Sequence, residues 1–416
     1  MSIFNVLTLL GGLALFLFGM KIMGEALEKR AGNRLKLILE RLTSSPFSGI
    51  LFGAGLTAII QSSSAMTVMV VGFVNSGVMQ LRQAIGVIMG ANIGTTVTAW
   101  ILSLIGIEGS NIFIKLLKPS SFSPVLAFIG IILLLTGKRG KRKDTGTILL
   151  GFAVLMSGME AMSGAVKPLA DVPEFTGILT LFSNPLLGVL AGAVLTGVIQ
   201  SSSASVGILQ ALSVTGIIPY ATAIPIIMGQ NIGTTVTALL SSIGTNKNAR
   251  RAAFVHLYFN LIGTMTFLIL FYGLNALIGF SFINDAVTPA GIAVVHSGFN
   301  IFSTALLFPF IPQLEKLATL TIRDSKATGE LQMLDTRLLN SPSIAIDRCR
   351  KLTINMATIA RDALFQSLPL LDQYDEKGAD AVMEAEDKVD LYEDKLGSYL
   401  VQLSASNLSQ EYSNEA

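Results

Sequence analysis

The sequence predicts an all-α polytopic membrane protein made of two inverted repeats, each carrying a re-entrant helical hairpin, followed by a short helical cytoplasmic tail. Three observations predict it: scarce charge, a series of long apolar segments, and an internal repeat. The chain has 416 residues, of which 51% are hydrophobic and 13% charged, about half the roughly 25% charge of an ordinary soluble domain. The charge is also segregated. Residues 1–312 hold 18 lysines and arginines against 9 aspartates and glutamates, while residues 313–416 hold 11 against 18. An apolar basic part therefore precedes an acidic, soluble-looking tail, and the overall charge of +2 conceals the split. The basic residues lie in short clusters between apolar runs, which is no nucleic-acid footprint. A lone cysteine, Cys349, excludes an intrachain disulfide. No basic residue precedes the first apolar run, 3–20, and no small-residue cleavage site follows it, so it reads as a retained membrane helix.

The repeat has an offset of 139 residues. GAGLTAIIQSSSA at 53–65 returns as GAVLTGVIQSSSA at 192–204, and MGANIGTTVTA at 89–99 returns as MGQNIGTTVTA at 228–238. The spacing from the motif glutamine to the asparagine, Gln61 to Asn92 and Gln200 to Asn231, is 31 residues in both copies. Small-residue segments can serve helix packing alone, but packing does not call for a glutamine, three serines, an asparagine and two threonines.

Spans long enough to cross a bilayer are expected near 3–20, 83–106, 121–137, 145–163, 220–243, 252–279 and 289–312. The two segments that carry Gln-Ser-Ser-Ser are apolar on both sides of a polar centre. A straight crossing would leave four polar residues at mid-membrane, so hairpins with the motif at the tip are expected, since irregular backbone is tolerated in a bilayer only where it lines a protein cavity. Basic clusters at Lys29, Arg30, Arg34, Lys36 and Arg41, at Lys138–Lys143 and at Lys247–Arg251 all fall on the cytoplasmic side if the first helix runs inward. Each repeat then crosses three times, and an odd count inverts the second copy. The domain layout is repeat one over 1–137 (hairpin 47–75), a cytoplasmic linker at 138–144, repeat two with two further helices over 145–312 (hairpin 186–215), and the cytoplasmic tail at 313–416. The stretch from Glu25 to Leu42 is expected as a surface helix on the inner leaflet.

Gln-Ser-Ser-Ser at a hairpin tip offers hydroxyls, an amide and the free N–H groups of a helix start, which favour anions. Hydroxyl and carbonyl oxygens suit a hard monovalent cation. The following Asn-Ile-Gly-Thr-Thr segments add Asn92, Thr95 and Thr96, and Asn231, Thr234 and Thr235, and their glycines, Gly94 and Gly233, are expected to let the helix unwind. Such a site is rich in neutral donors and poor in formal charge, so a bound anion needs co-bound cations. Mid-membrane carboxylates are nearly absent, which favours sodium over protons. The two histidines head matching pairs, His256 with Asn260 and His296 with Asn300, each on one helix face. These pairs either line the pathway or pin two helices together, and pinning is the favoured reading. Lys21 and its repeat counterpart Glu160 read as interfacial residues, and Trp100 as packing. No metal-ligand cluster, Walker loop or catalytic triad spacing is present in the membrane part, so no enzyme or ATP-driven pump is expected.

On its doubled Gln-Ser-Ser-Ser motif and the Gly-x-Asn-Ile-Gly-Thr segments at 90–95 and 229–234, the chain resembles the bacterial sodium-dependent phosphate cotransporter (type II) family over residues 5–312. The resemblance implies a secondary active transporter that imports inorganic phosphate with sodium. It assigns phosphate contacts to Gln61, Ser62, Ser63, Ser64, Gln200, Ser201, Ser202, Ser203, Asn92 and Asn231. Sodium contacts fall to Gln61, Ser64, Thr95, Thr96, Gln200, Ser203, Thr234 and Thr235. The residues alone say only small oxyanion plus cation, and transport of another oxyanion or a phosphate sensor signalling through the tail are the alternatives. The expected setting is the inner cell membrane, with phosphate, sodium and lipid as partners, a homo-oligomer left open, and no organic cofactor. The tail is similar to the start of a PhoU-like domain: a stripe of Val382, Val389, Leu396 and Leu400 lies opposite acidic residues, and Glu386 and Asp390 resemble that family's metal motif.

Overall fold

In the computed structural model the described residues are 3–42, 45–107, 111–137, 140–172, 177, 181–323, 334, 336–340, 342–405 and 413–414. Among them, seven helices are long and apolar enough to cross a bilayer. They are α1 (Ile3–Leu42), α4 (Leu81–Leu102), α6 (Pro119–Thr136), α7 (Lys141–Val166), α10 (Tyr220–Ser241), α11 (Lys247–Ile278) and α12 (Pro289–Leu307). A short helix, α5 (Ile112–Leu117), precedes α6. These match the expected spans. The ends differ where capping overrides hydropathy: α11 starts at Lys247 because the Asn246 side chain accepts the Ala249 N–H at 2.9 Å. The last span breaks into α12, a 3₁₀ turn at Phe308–Phe310 and α13 (Ile311–Thr321), with Pro309 and Pro312 at the break.

Four shorter helices supply the hairpin arms: α2 (Pro46–Ile60) with α3 (Ser63–Asn75), and α8 (Pro185–Ile199) with α9 (Ser202–Ser213). Fifteen residues of α2 rise about 22 Å, short of a hydrocarbon core of about 30 Å. The packing fixes their direction. A Cβ built on Gly90 would lie 2.0 Å from the Ile50 carbonyl oxygen, and one on Gly94 2.4 Å from that of Ala54. Residue numbers rise together along α2 and α4, so the two run parallel and α3 must return the chain to the level where α2 began. The second copy repeats this, with Gly229 against Val189 at 2.0 Å and Gly233 against Ala193 at 2.5 Å.

By contrast α1 and α7 cross antiparallel. Gly12 abuts Gly158 and Gly19 abuts Gly151, with built Cβ atoms 2.9 and 2.6 Å from the facing carbonyl oxygens. These helices are counterparts under the 139-residue offset, yet they run in opposite directions. Phe16, fully buried, packs beneath them with Leu155, Met156 and Met159. One expectation is corrected here. Helix α1 continues unbroken to Leu42, so the stretch from Glu25 is not a separate element, and the side chains of 30–44 lie outside the described residues. Lys138 and Arg139 of the second basic cluster also lie outside them. Of the third cluster, Arg251 is buried and donates through Nε and Nη2 to the Ile322 carbonyl at 3.0 and 2.8 Å, closing the end of α13.

The chain divides into two compact units, residues 1–71 with 80–324, and residues 72–79 with 325–416. Within the second, α14 (Pro342–Asp372) and α15 (Glu376–Ser404) pack together, and Asn355 donates to the Tyr392 hydroxyl at 3.0 Å. The buried stripe of α15 is Tyr392, Leu396, Tyr399 and Leu403, and the expected Val382, Val389 and Leu400 are half-buried. Two tyrosines present rings to the stripe that a purely aliphatic reading passes over. Glu386 and Asp390 are both exposed. Burial pushes the Cys349 thiol up to about 11.

Candidate functional site

Each hairpin tip is built from a strained residue and a cap. Gln61 (φ 61) and Gln200 (φ 57) are the non-glycine residues with positive φ among those described. Each ends its first arm in the left-handed conformation, with its N–H on the carbonyl four residues back, Thr57 or Thr196, at 2.7 Å. A side chain there is unfavourable by about 1–2 kcal/mol, and the same strain is kept at equivalent positions of the two copies. The next serine then caps the second arm. Ser62 Oγ accepts the Ala65 N–H at 3.1 Å, and Ser201 Oγ accepts the Ala204 N–H at 3.2 Å. The amides of Ser63 and Ser64, and of Ser202 and Ser203, open their helices with no carbonyl of the same helix to bond.

The two tips meet. Ser63 Oγ and Ser202 Oγ, equivalent under the repeat, are 3.5 Å apart, and Ser64 Oγ donates to the Gln200 carbonyl at 3.5 Å. Around them lies a cavity of about 280 Å³ lined by all eight residues of the two Gln-Ser-Ser-Ser motifs. That volume has room for several waters or small ions. Two helix starts, each equivalent to about half a positive charge, converge on one volume.

The wall also contains residues that were not expected there. Met20, Lys21, Gly24, Glu25 and Glu28 of α1 line the cavity, and Lys21 Nζ lies 3.9 Å from Glu25 Oε1. The expectation of a site poor in formal charge is thereby corrected, because α1 passes the first tip closely enough that a Cβ on Gly24 would lie 3.1 Å from the Ile60 carbonyl oxygen. Sequence distance hid this contact, and the only signal was that Lys21, Glu25 and Glu28 recur at helical spacing just past an apolar run.

Asn92, Thr95, Thr96, Asn231, Thr234 and Thr235 are buried along α4 and α10, outside that lining. Their side chains bond back to their own helices: Asn231 Nδ2 to Ile227 O at 2.9 Å, Thr95 Oγ1 to Ala91 O at 3.1 Å, Thr235 Oγ1 to Ile232 O at 2.7 Å. The unwinding expected at Gly94 and Gly233 does not occur, since α4 and α10 are continuous through them. These glycines are instead contact points for α2 and α8. What α4 does deliver to the site is Thr98, whose hydroxyl donates to Gln61 Oε1 at 3.0 Å, while Gln61 Nε2 bonds the Ala58 carbonyl.

His256, Asn260, His296 and Asn300 are fully buried in α11 and α12. Each asparagine amide donates to the carbonyl of its histidine, at 2.9 and 2.8 Å. The likeness extends further than the histidine pairs: His256, Asn260, Gly263 and Thr264 return as His296, Asn300, Ser303 and Thr304. A Cβ on Gly263 would sit 2.7 Å from Ser303 Oγ, so the matched stripes touch at equivalent positions. Trp100 is more than packing, because its Nε1 donates to Ser297 Oγ at 2.9 Å across α4 and α12. Gln210 of α9 ties the same corner, donating to the Ala99 and Pro289 carbonyls, both at 2.9 Å.

Comparison with known proteins identifies the family. The sequence matches the Na+/Pi-cotransporter family over residues 15–164 and again over 157–288, so each match contains one hairpin. It is 25% identical over 416 residues to a protein of Escherichia coli K12 named for inorganic phosphate export, YjbB, covering 98% of this chain and 73% of that protein. It is 25% identical over 199 residues to the rat sodium-dependent phosphate transport protein 2A (47% of this chain, 30% of the relative). With the human sodium-dependent phosphate transport protein 2B it shares 34% over 130 residues (29% and 19%). No solved structure gives a significant match.

Proposed function

The chain belongs to the Na+/Pi-cotransporter family, and from that premise we propose that it is a secondary transporter that moves inorganic phosphate together with sodium by alternating access. The observation that carries the reading is the meeting of two helix starts at Ser63 and Ser202, 3.5 Å apart in a cavity walled by both motifs. The first amides of α3 and α9 and the hydroxyls of Ser63, Ser64, Ser202 and Ser203 suit phosphate oxygens. Serine and glutamine oxygens, with the carboxylates of Glu25 and Glu28 at the wall, suit sodium. Cations bound there offset the charge of the phosphate, so the two bind better together than singly, which is the thermodynamic basis of coupling.

The antiparallel crossing of the counterpart helices α1 and α7 supports an inverted repeat, the architecture in which two halves rock about a central site. Asn92, Thr95, Thr96 and their counterparts in α10 act in this reading by holding the helices that carry the tips. The basic clusters favour a cytoplasmic tail in the cell membrane, and an inward sodium gradient then makes the movement import. The name of the Escherichia coli relative favours export as a second reading. Purified full-length chain in proteoliposomes tests both. Labelled phosphate should accumulate under an inward sodium gradient, and Gln61→Ala or Gln200→Ala should abolish accumulation. Equal uptake with potassium replacing sodium refutes the coupling, and loss of preloaded phosphate only on an outward gradient establishes the reverse direction.

A further inference from the structure

The two copies share one sequence pattern and one backbone, yet their side chains are not in the same state. Gln61 is 5% exposed and its Oε1 accepts the Thr98 hydroxyl at 3.0 Å. Under the 139-residue offset Gln61 corresponds to Gln200 and Thr98 to Thr237. Gln200 is exposed and lines the cavity, while the Thr237 hydroxyl is buried and without a partner among the described residues. One latch is closed and its counterpart is open.

The cavity is one-sided in the same sense. It is walled along α1 by Met20 and Gly24. Their counterparts in α7 are Met159 and Ser163, neither of which reaches it. Met159 is 0% exposed, and the Ser163 hydroxyl is buried with no partner among the described residues. A buried hydroxyl left unbonded is unfavourable by about 1–3 kcal/mol, and Thr237, unlike its counterpart Thr98, lacks the partner that would relieve it. Exchanging the roles of the two copies supplies that partner, with Thr237 bonded to Gln200 and Ser163 facing water.

We propose that Thr98 and Thr237 are positioning residues that grip the two tip glutamines in turn: Thr98 holds Gln61 while the cavity opens along α1, and Thr237 holds Gln200 when it opens along α7. Each threonine acts through its glutamine. The hydroxyl donates to the side-chain oxygen and keeps it engaged at the cavity wall, as Thr98 does with Gln61, and leaves the opposite glutamine free to meet the solute. This rests on the alternating-access reading above but not on which solute moves.

Thiol accessibility tests it on the full chain in a Cys349→Ser background, without any transport measurement. Met20→Cys reports the cavity along α1, and Ser163→Cys, nearly isosteric, reports the opposite one. With a small water-soluble maleimide, Met20→Cys should react readily and Ser163→Cys slowly, its rate following the population of the second state. Adding Thr98→Val should raise the Ser163→Cys rate about fivefold and lower the Met20→Cys rate, fivefold being the ratio for about 1 kcal/mol from one buried neutral hydrogen bond. Thr237→Val should lower the Ser163→Cys rate by a similar factor. Thr98→Ser keeps the hydroxyl and should leave both rates as they were. Unchanged rates in Thr98→Val, or rates that rise together at both positions, overturn the latch. Opposed shifts in a chain that fails to carry phosphate sustain the latch and refute the substrate instead.

Discussion

The close approach of α2 to α4 makes a sharp prediction about two glycines in neighbouring helices. In Gly90→Ala the new Cβ would lie 2.0 Å from the Ile50 carbonyl oxygen, 2.7 Å from its carbon and 2.8 Å from the Ile50 Cα. All three are backbone atoms, so no rotamer change relieves the clash. Reaching ordinary contact at about 3.4 Å requires the helices to separate by roughly 1.4 Å there, against a van der Waals surface that loses a quarter to a half of its attraction for each 0.5–1 Å gap. Overpacking of a tight interface is unfavourable by about 1–3 kcal/mol, and the lost contacts along both helices put this substitution at the upper end. Gly55→Ala is the matched control. It sits in α2, nothing lies within 4 Å of its built Cβ, and replacing a helical glycine by alanine is favourable by about 0.5–1 kcal/mol. Thermal unfolding of the full chain in detergent, followed by tryptophan fluorescence and circular dichroism, should therefore move in opposite directions for the two variants. Gly229→Ala, whose Cβ would lie 2.0 Å from the Val189 oxygen, should behave as Gly90→Ala does. A Gly90→Ala protein that melts with the parent or above it would refute the packing role assigned to this glycine.

Two other outcomes follow from local geometry. Ser62→Ala and Ser201→Ala remove the N-caps of α3 and α9, each worth about 1 kcal/mol, so both should lower the melting temperature, whereas Ser63→Ala should reduce phosphate uptake with little effect on melting. The Cys349 thiol, buried and pushed up to about 11, should be almost entirely protonated at pH 8. Its alkylation rate should then rise about tenfold per pH unit from 8 to 10, and a rate that levels off near pH 8.5 in the folded chain would contradict the burial of this residue.

Much of the membrane architecture was legible because hydropathy and a repeat without a gap report directly on it. Seven spans and the two polar tips follow from counting apolar runs and aligning the chain with itself, whereas the pairing of Ser63 with Ser202 is seen only in the structure. Other features were hidden for physical reasons. Gly94 looks like a point of flexibility in sequence, but whether a glycine loosens a helix or admits a neighbour depends on what lies across from it, and here Ala54 and Thr57 do. Lys21, Glu25 and Glu28 reach the cavity through a helix crossing that no local pattern encodes. The engaged Gln61 and the disengaged Gln200 were beyond any reading of the repeat, since identical motifs cannot reveal which of two conformations each copy holds. The tail stripe was displaced toward Tyr392 and Tyr399 because a tyrosine can bury its ring while its hydroxyl finds a partner, as Tyr392 does with Asn355.

Ser63 and Ser202 are the same residue of the same motif, 3.5 Å apart. In the proposed reading a solute resting between them meets the same hydroxyl from either half, and only the surrounding wall, charged along α1 by Lys21, Glu25 and Glu28, tells the two halves apart. The direction of net movement would then be set by the combined phosphate and sodium gradients, and reversing their sum would reverse the traffic.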